Sequence, residues 1–240
     1  MASKELNCDM GEGYGLYRMG DDQGLMPHIH AANVACGFHA SDPVTMSRTV
    51  RLAKAQGVKI GAHPSLPDRE GFGRREMKLS PDELRDNFIY QIGALSGFLK
   101  AEGLQLNHVK PHGIVYGLGA RDETVAAAMC AAVKTFDVPL YGLRGTAHET
   151  AAKKAGVAFV GEFFADLDYD DAGNLIITRE HPPVDLDWAG HRLARAIEKA
   201  EVVSIGGRTL PISFETVCVH SDTPNAVALA ESLKRLIDRR

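Results

Sequence analysis

No stretch of this 240-residue chain approaches the roughly 18 consecutive apolar residues of a membrane-spanning helix, so no membrane partner is expected. Dense Lys/Arg clusters are also missing. With 27 basic and 31 acidic residues the net charge is −4, which argues against nucleic acid and anionic lipid as partners. The four cysteines (Cys8, Cys36, Cys130 and Cys218) form no C-x-x-C pair. Three of them sit in apolar runs, so reduced, buried thiols are expected rather than disulfides. The first residues, MASKELNCDMGEG, lack the apolar core of a signal peptide, and a cytoplasmic location is the expectation. Low-complexity and linker-like segments are absent, so residues 1–240 read as a single domain, and 45% hydrophobic residues suffice for a large core.

Three motifs are missing as well, and they narrow the chemistry. There is no G-x-x-x-x-G-K-[ST] phosphate loop and no G-x-G-x-x-G after a strand. The run Gly11–Gly15 (GEGYG) is too short and carries an acid where a pyrophosphate would sit. Without a G-x-S-x-G turn, a serine nucleophile of the α/β-hydrolase kind is excluded.

What is present is an alternation of strand-like and helix-like patterns. Leu6–Cys8, Ala32–Cys36, Val58–Ala62, Leu106–Lys110, Pro139–Gly142, Ala158–Phe164 and Glu215–Val219 read as seven strands. Most are continuous apolar runs, the pattern of parallel strands covered on both faces. Asp42 or Ser41 with Pro43 opens a helix that ends near Gly57. Ser80-Pro81-Asp82-Glu83 is a capping box, with Gly103 closing its helix, and Thr223-Pro224 opens the last one. Weaker helical signals lie near 122–135, 145–155 and 187–200. Such repetition yields either an open doubly wound sheet or a closed barrel. Polar side chains follow nearly every strand, and only a barrel gathers all its strand ends at one mouth. The fold class is therefore α/β, an irregular, seven-stranded parallel β/α barrel.

The strand ends carry the candidate chemistry. LNCDMGEG (6–13) places Asp9 and Glu12 three apart in a glycine-rich turn, suited to cation binding or proton transfer, or simply to a solvated turn. NVACGFHASDP (33–43) and IGAHP (60–64) put His39 and His63 after consecutive strands. With a carboxylate from the first strand, Asp9, His39 and His63 could hold a metal ion. In NHVKPHG (107–113), Lys110 and His112 flank Pro111. A lysine closing an apolar strand needs a polar cavity, where it can hold a carboxylate or phosphate, or else it snorkels to solvent. His108 reads as structural. TVCVHSDTP (216–224) sets His220 two residues from Asp222, so that a carboxylate could orient the histidine. Glu162 and Asp166 bracket Phe163 and Phe164, and one of the two is expected to face the cavity. His28, His30, His148, His181 and His191 lack comparable context. Such a rim suits hydrolysis by an activated water, with or without metal.

Taken together, Asn7-Cys8-Asp9-Met10-Gly11-Glu12-Gly13, Ala35-Cys36-Gly37-Phe38-His39-Ala40, Gly61-Ala62-His63-Pro64, Gly71-Phe72-Gly73-Arg74-Arg75, Val109-Lys110-Pro111-His112-Gly113 and Cys218-Val219-His220 resemble the LamB/YcsF family in order over nearly the whole chain. The resemblance implies an irregular β/α barrel of the glycoside hydrolase/deacetylase type. It also implies ATP-dependent opening of the 5-oxoproline lactam to glutamate, with ATP as co-substrate and 5-oxoprolinase subunits B and C as partners. The positions it assigns to catalysis are Asp9, Glu12, His63, Lys110, His112, Asp166 and His220. Asn7, Asn33, His39, Glu162 and Asp222 are the expected substrate contacts. A divalent metal, magnesium or zinc, and self-association both remain open. Leu167, Ser221, Gly117 and the run His181-Pro182-Pro183-Val184 depart from the family pattern at the rim, which leaves room for another lactam or amide. The alternatives are a metal-dependent amidase or deacetylase working without ATP, and a non-catalytic scaffold subunit.

Overall fold

Proline, glycine and capping side chains divide the chain into alternating elements. The computed structural model describes residues 4–178 and 180–239. In order, these are β1 (Glu5–Met10), α1 (Asp22–Leu25) with a 3₁₀ turn at Met26–His28, β2 (Ala31–Ala35), α2 (Pro43–Gln56), β3 (Lys59–His63), α3 (Pro81–Ala101), α4 (Ile114–Arg121), α5 (Glu123–Lys134), β4 (Leu140–Gly142), α6 (Ala147–Ala155), β5 (Phe159–Phe164), α7 (Leu186–Lys199), β6 (Glu201–Val203), β7 (Thr209–Pro211), β8 (Thr216–Val219) and α8 (Ala226–Asp238). The strong punctuation signals act as expected. The Asp42 carboxylate accepts from the amides of Val44 and Thr45, and Gly57 ends α2 in the left-handed region at φ 67°. Ser80 and Glu83 close a reciprocal capping box on α3. At the last helix Asn225 stands at the cap, so α8 starts two residues beyond Pro224.

Six strands form one parallel sheet in the order β3-β2-β1-β8-β5-β4. The sheet curls until its two edges meet at residues 107–110. Val109 bridges Ala62 of β3 and Leu140 of β4, both in parallel. Ladder bonds support each side: Lys110 N donates to Ala62 O at 2.9 Å, and Tyr141 N to Val109 O at 2.9 Å. The seventh strand expected at 106–110 is thus reduced to a bridged segment. Pro111 has no N–H, so the ladder stops there. Residues 201–211 add an unanticipated antiparallel pair, β6 with β7, packed beside α7.

Within β1, side chains alternate between two environments. Leu6, Cys8 and Met10 join the apolar core beneath the helices. Asn7 and Asp9 occupy the alternate positions and meet Asn33, Lys110, Glu162 and Thr216 from other staves. The barrel interior is therefore a hydrogen-bonded polar network instead of aliphatic layers. No helix among the described residues is long and apolar enough to cross a membrane.

Candidate active site

Register carries the polar side chains to one end of the barrel. Asp9 pairs across from Asn33, Asn33 from Gly61, Asn7 from Cys218 and Glu162 from Thr216. Lys110 is buried at 2% exposure, where an unpaired ammonium would be very unfavourable. Its Nζ donates to Asp9 Oδ1 at 2.8 Å and to Asn7 Oδ1 at 3.4 Å, lies 2.8 Å from Cys218 Sγ, and stands 3.3 Å from Glu162 Oε1. Burial alone would lower the Lys110 pKa, but the facing Asp9 carboxylate, with Cys218 and Glu162, raises it well above the ordinary lysine value. Burial alone would raise Asp9; His63 and Lys110 outweigh it and hold that carboxyl well below its usual range. Asn33 donates to both Asn7 and Asp9, at 2.7 and 2.8 Å.

A second set gathers beside Asp9. His63 Nε2 lies 3.2 Å from Asp9 Oδ2 and 2.9 Å from His112 Nδ1. Glu12 Oε1 sits 3.0 Å from His39 Nε2 and 3.3 Å from His112 Nδ1, while Glu12 Oε2 accepts from Ser221 Oγ at 3.2 Å. The rings of His39 and His112 stack with centroids 3.7 Å apart. Burial, then Asp9 and Asp222, push Glu12 well above the usual carboxylate range. Burial, followed by neighbouring histidines, pushes His39 and His112 well below the usual imidazole value. Glu12, His39, His63 and His112 form a buried group that could hold a metal ion, with donor atoms all within 4.8 Å; Asp9, Cys218 and His220 form another. The set expected from the sequence, Asp9 with His39 and His63, is thereby divided. Asp9 Oδ1 faces Lys110 and Asn33 while its Oδ2 stays 3.2 Å from His63, and Glu12 stands with the three histidines.

On the far side stands His220. Asp166 Oδ2 accepts from both the His220 amide, at 2.8 Å, and its Nδ1, at 3.0 Å, which leaves Nε2 directed to Asp9 Oδ2 at 3.7 Å. Burial would lower the His220 pKa, but the Asp166 carboxylate raises it. The orienting acid is thus Asp166 and not Asp222. Asp222 instead pairs with Arg74 Nη1 at 2.8 Å, and Arg74 Nη2 lies 3.0 Å from His181 Nε2. His181 stacks on His220 with centroids 5.2 Å apart, at the rim where the departure of the run 181–184 from the family pattern places it. Of Glu162 and Asp166, the first is buried and the second half-buried with a covered side chain. Glu162 is held in the barrel interior by Asn7 Nδ2 at 3.0 Å and Tyr116 Oη at 2.9 Å. His108 is structural as expected: its Nε2 is 2.6 Å from Asn33 Oδ1 and its ring stacks on Tyr141.

A small cleft opens over this assembly. Asp9, His63, Lys110, His112 and His220 line its floor, and Arg74, Tyr116, Phe164 and His181 form part of its walls. Asn7, Asn33, Glu162 and His39 lie behind the floor, where they position other groups. Arg74 and Tyr116 were not singled out from the sequence as site residues, and His181 was marked only as a rim departure. Arg74 was visible within Gly71-Phe72-Gly73-Arg74-Arg75, but its partner lies 148 residues away. A buried cation, an ionised carboxylate and a histidine with an aligned acid can together hold an anionic substrate and move a proton.

Comparison with known proteins extends over the same span. A profile of the LamB/YcsF family matches residues 4–240. The lactam utilization protein lamB of Emericella nidulans is 46% identical over 237 residues, covering 97% of this chain and 93% of that protein. The A subunit of 5-oxoprolinase from Methylococcus capsulatus is 46% identical over 235 residues, covering 96% and 90%. The crystal structure of a lactam utilization protein from Thermus thermophilus aligns with a TM-score of 0.91 at 43% identity, covering 100% of this chain and 97% of that one. This chain belongs to the LamB/YcsF family.

Proposed function

We propose that the chain is the A subunit of a 5-oxoprolinase, a hydrolase that opens a five-membered lactam at the expense of ATP together with subunits B and C. One observation carries the reading: Asp9, His63, Lys110 and His220, drawn from four distant parts of the sequence, meet on the floor of one small cleft. The names of full-length relatives point the same way. An unstrained amide resists water at neutral pH, so its carbonyl needs activation. Transfer of the γ-phosphoryl group to the lactam oxygen, with ADP leaving, supplies it. Water then adds to that carbon, the ring C–N bond breaks with a proton passed to nitrogen, and a second water releases phosphate. Lys110 neutralises the developing anion or the substrate carboxylate. Asp9 orients the water, and His220, aligned by Asp166, moves the proton. A divalent cation, magnesium or zinc, accompanies this chemistry. The chain has no phosphate loop, so a partner subunit contributes the nucleotide site.

The test is reconstitution with candidate B and C subunits, ATP and a panel of lactams, with amino acid product and phosphate measured together. Lys110→Ala and Asp9→Ala should abolish turnover in folded protein. Undiminished activity in both variants removes the assignment. The buried Glu12–His39–His63–His112 group favours a second reading, an amidase that needs metal and no nucleotide. Turnover without ATP, lost on chelation, would select it.

A further inference from the structure

We infer that His39 Nε2, His63 Nε2, His112 Nδ1 and Glu12 Oε1 together bind one divalent cation of the zinc class, and that this ion ties the barrel rim together without activating water. Hydrogen bonding fixes two of the imidazole tautomers. His63 Nδ1 lies 2.7 Å from the Lys110 carbonyl oxygen, and His112 Nε2 lies 2.8 Å from that of Phe72. A carbonyl oxygen only accepts, so each of these nitrogens carries its ring proton. With both rings neutral the lone pairs are left on His63 Nε2 and His112 Nδ1, which face each other at 2.9 Å, while Asp9 Oδ2 stands 3.2 Å from the same His63 nitrogen. Two lone pairs and a carboxylate oxygen at those separations repel unless a bound cation, or an added proton on His63, lies among them. Glu12 Oε1 completes the demand, 3.3 Å from His112 Nδ1, 4.0 Å from His63 Nε2 and 3.0 Å from His39 Nε2.

The donor spacing matches a small tetrahedral cation. Metal–donor bonds of about 2.0–2.1 Å separate the ligands by about 3.3 Å, and the distances here scatter on both sides of that value. Backbone carbonyls on the far ring nitrogens of His63 and His112 are the partners that metal-bound histidines ordinarily have, whereas His39 Nδ1 has none among the described residues. The Ser221 hydroxyl on Glu12 Oε2 does the same for the carboxylate. Three imidazoles and one carboxylate suit zinc and its neighbours, whereas magnesium and calcium demand oxygen ligands. Four protein donors leave no open coordination position, the mark of a structural site. The ligands follow β1, β2, β3 and the bridged segment 107–110, so one ion would staple four neighbouring staves. Asp9, Lys110 and His220 stay free for the reaction.

The assignment does not depend on the lactam reading, and its test uses no turnover. The purified chain is stripped with chelator, offered zinc or cobalt(II), dialysed against metal-free buffer, and measured for metal content, visible spectrum and thermal midpoint. The expected result is one ion per chain, the intense visible absorption of four-coordinate cobalt, and a higher midpoint with zinc. His39→Gln and His112→Gln should weaken binding by about 100-fold or more, while the exposed control His191→Gln retains it. Should the ligand variants fail to fold, the wild-type chain decides alone. A folded wild-type chain that retains no zinc or cobalt, or a weak six-coordinate cobalt spectrum, overturns the proposal, because a shared proton would then hold His63 and His112. Undiminished binding in folded His39→Gln and His112→Gln overturns it equally.

Discussion

Replacing Lys110 by methionine removes the buried cation and keeps the length and apolar stem of the side chain. The Lys110 ammonium touches Asp9 at 2.8 Å and stands 3.3 Å from Glu162, and all three side chains are at most 3% exposed. Removing one partner of a buried pair strands the other charge, at about 3–5 kcal/mol. For a chain of this size that corresponds to a fall in thermal midpoint of about 6–20 °C. Asp9→Asn keeps the acceptor for Asn33 Nδ2 and deletes the charge. In the double variant Glu162 still accepts from Asn7 and Tyr116, so the two losses should not add. The cycle should show a coupling of about 2 kcal/mol. Urea unfolding, followed by circular dichroism and by the fluorescence of Trp188, the single tryptophan, measures all four proteins. The Asp9 pKa is depressed in the fold. Its contribution is therefore complete above the unfolded value of about 3.9 and is lost as pH falls through the folded value, so Asp9→Asn should flatten that acid limb. A Lys110→Met protein within about 1 kcal/mol of wild type, or strict additivity in the cycle, refutes a coupled buried pair.

Asp166→Ala removes the acceptor that aligns His220, so turnover of the reconstituted complex should fall by about 10²–10⁴-fold while circular dichroism stays native; wild-type rates would show that His220 needs no alignment. Burial pushes His148 down to about 4, against 6.5 when unfolded, so stability should fall as pH drops from 6.5 towards 4, and His148→Leu should remove part of that slope. Urea midpoints unchanged across that window would contradict it. Gly61→Ala would set a Cβ 2.2 Å from His108 Nε2, a ring already held by Asn33 and Tyr141, and should destabilise by about 1–3 kcal/mol in the same unfolding assay; a neutral outcome would mean that the interior relaxes freely.

Legibility of the fold followed the strength of local signals. Asp42, the Ser80–Glu83 box and Gly57 are caps with short-range mechanisms, and α2 and α3 start and stop where those mechanisms place them. α4 escaped notice because Ile114–Arg121 contains Gly117 and Gly119, poor helix formers. Packing overrides that preference: a Cβ on Gly119 would lie 2.7 Å from His148 Nε2 and 2.8 Å from Met129, so only glycine fits there. β6 and β7 are three residues each, too short for any periodicity to register. The candidate site was legible one residue at a time but not in its pairings. Asp222 sits two residues from His220, yet Asp166, 54 residues away, makes the bond, and Asp222 goes to Arg74. Likewise Asp9 and Glu12 belong to one short turn, while the Lys110 cation and the histidine cluster draw them into separate groups.

The interior chemistry also explains why one register is strongly specified. Along β1 the inward set is Asn7 and Asp9, and the outward set is Leu6, Cys8 and Met10. A slip of one residue against β2 or β8 would exchange the sets, driving three apolar side chains into a polar network and Asp9 into the apolar layer. Asn7 bonds Thr216 and Glu162, Asn33 bonds Asn7 and Asp9, and Lys110 bonds Asp9, so each contact crosses between staves and is satisfied only in the native alignment. Side chains assigned to the reaction are thus also the ones that align the strands. Substitution at Lys110 or Asp9 must therefore disturb folding and turnover together. Substitution at Asp166 separates them, since its bonds to His220 lie at the mouth, beyond the ladder that sets the register.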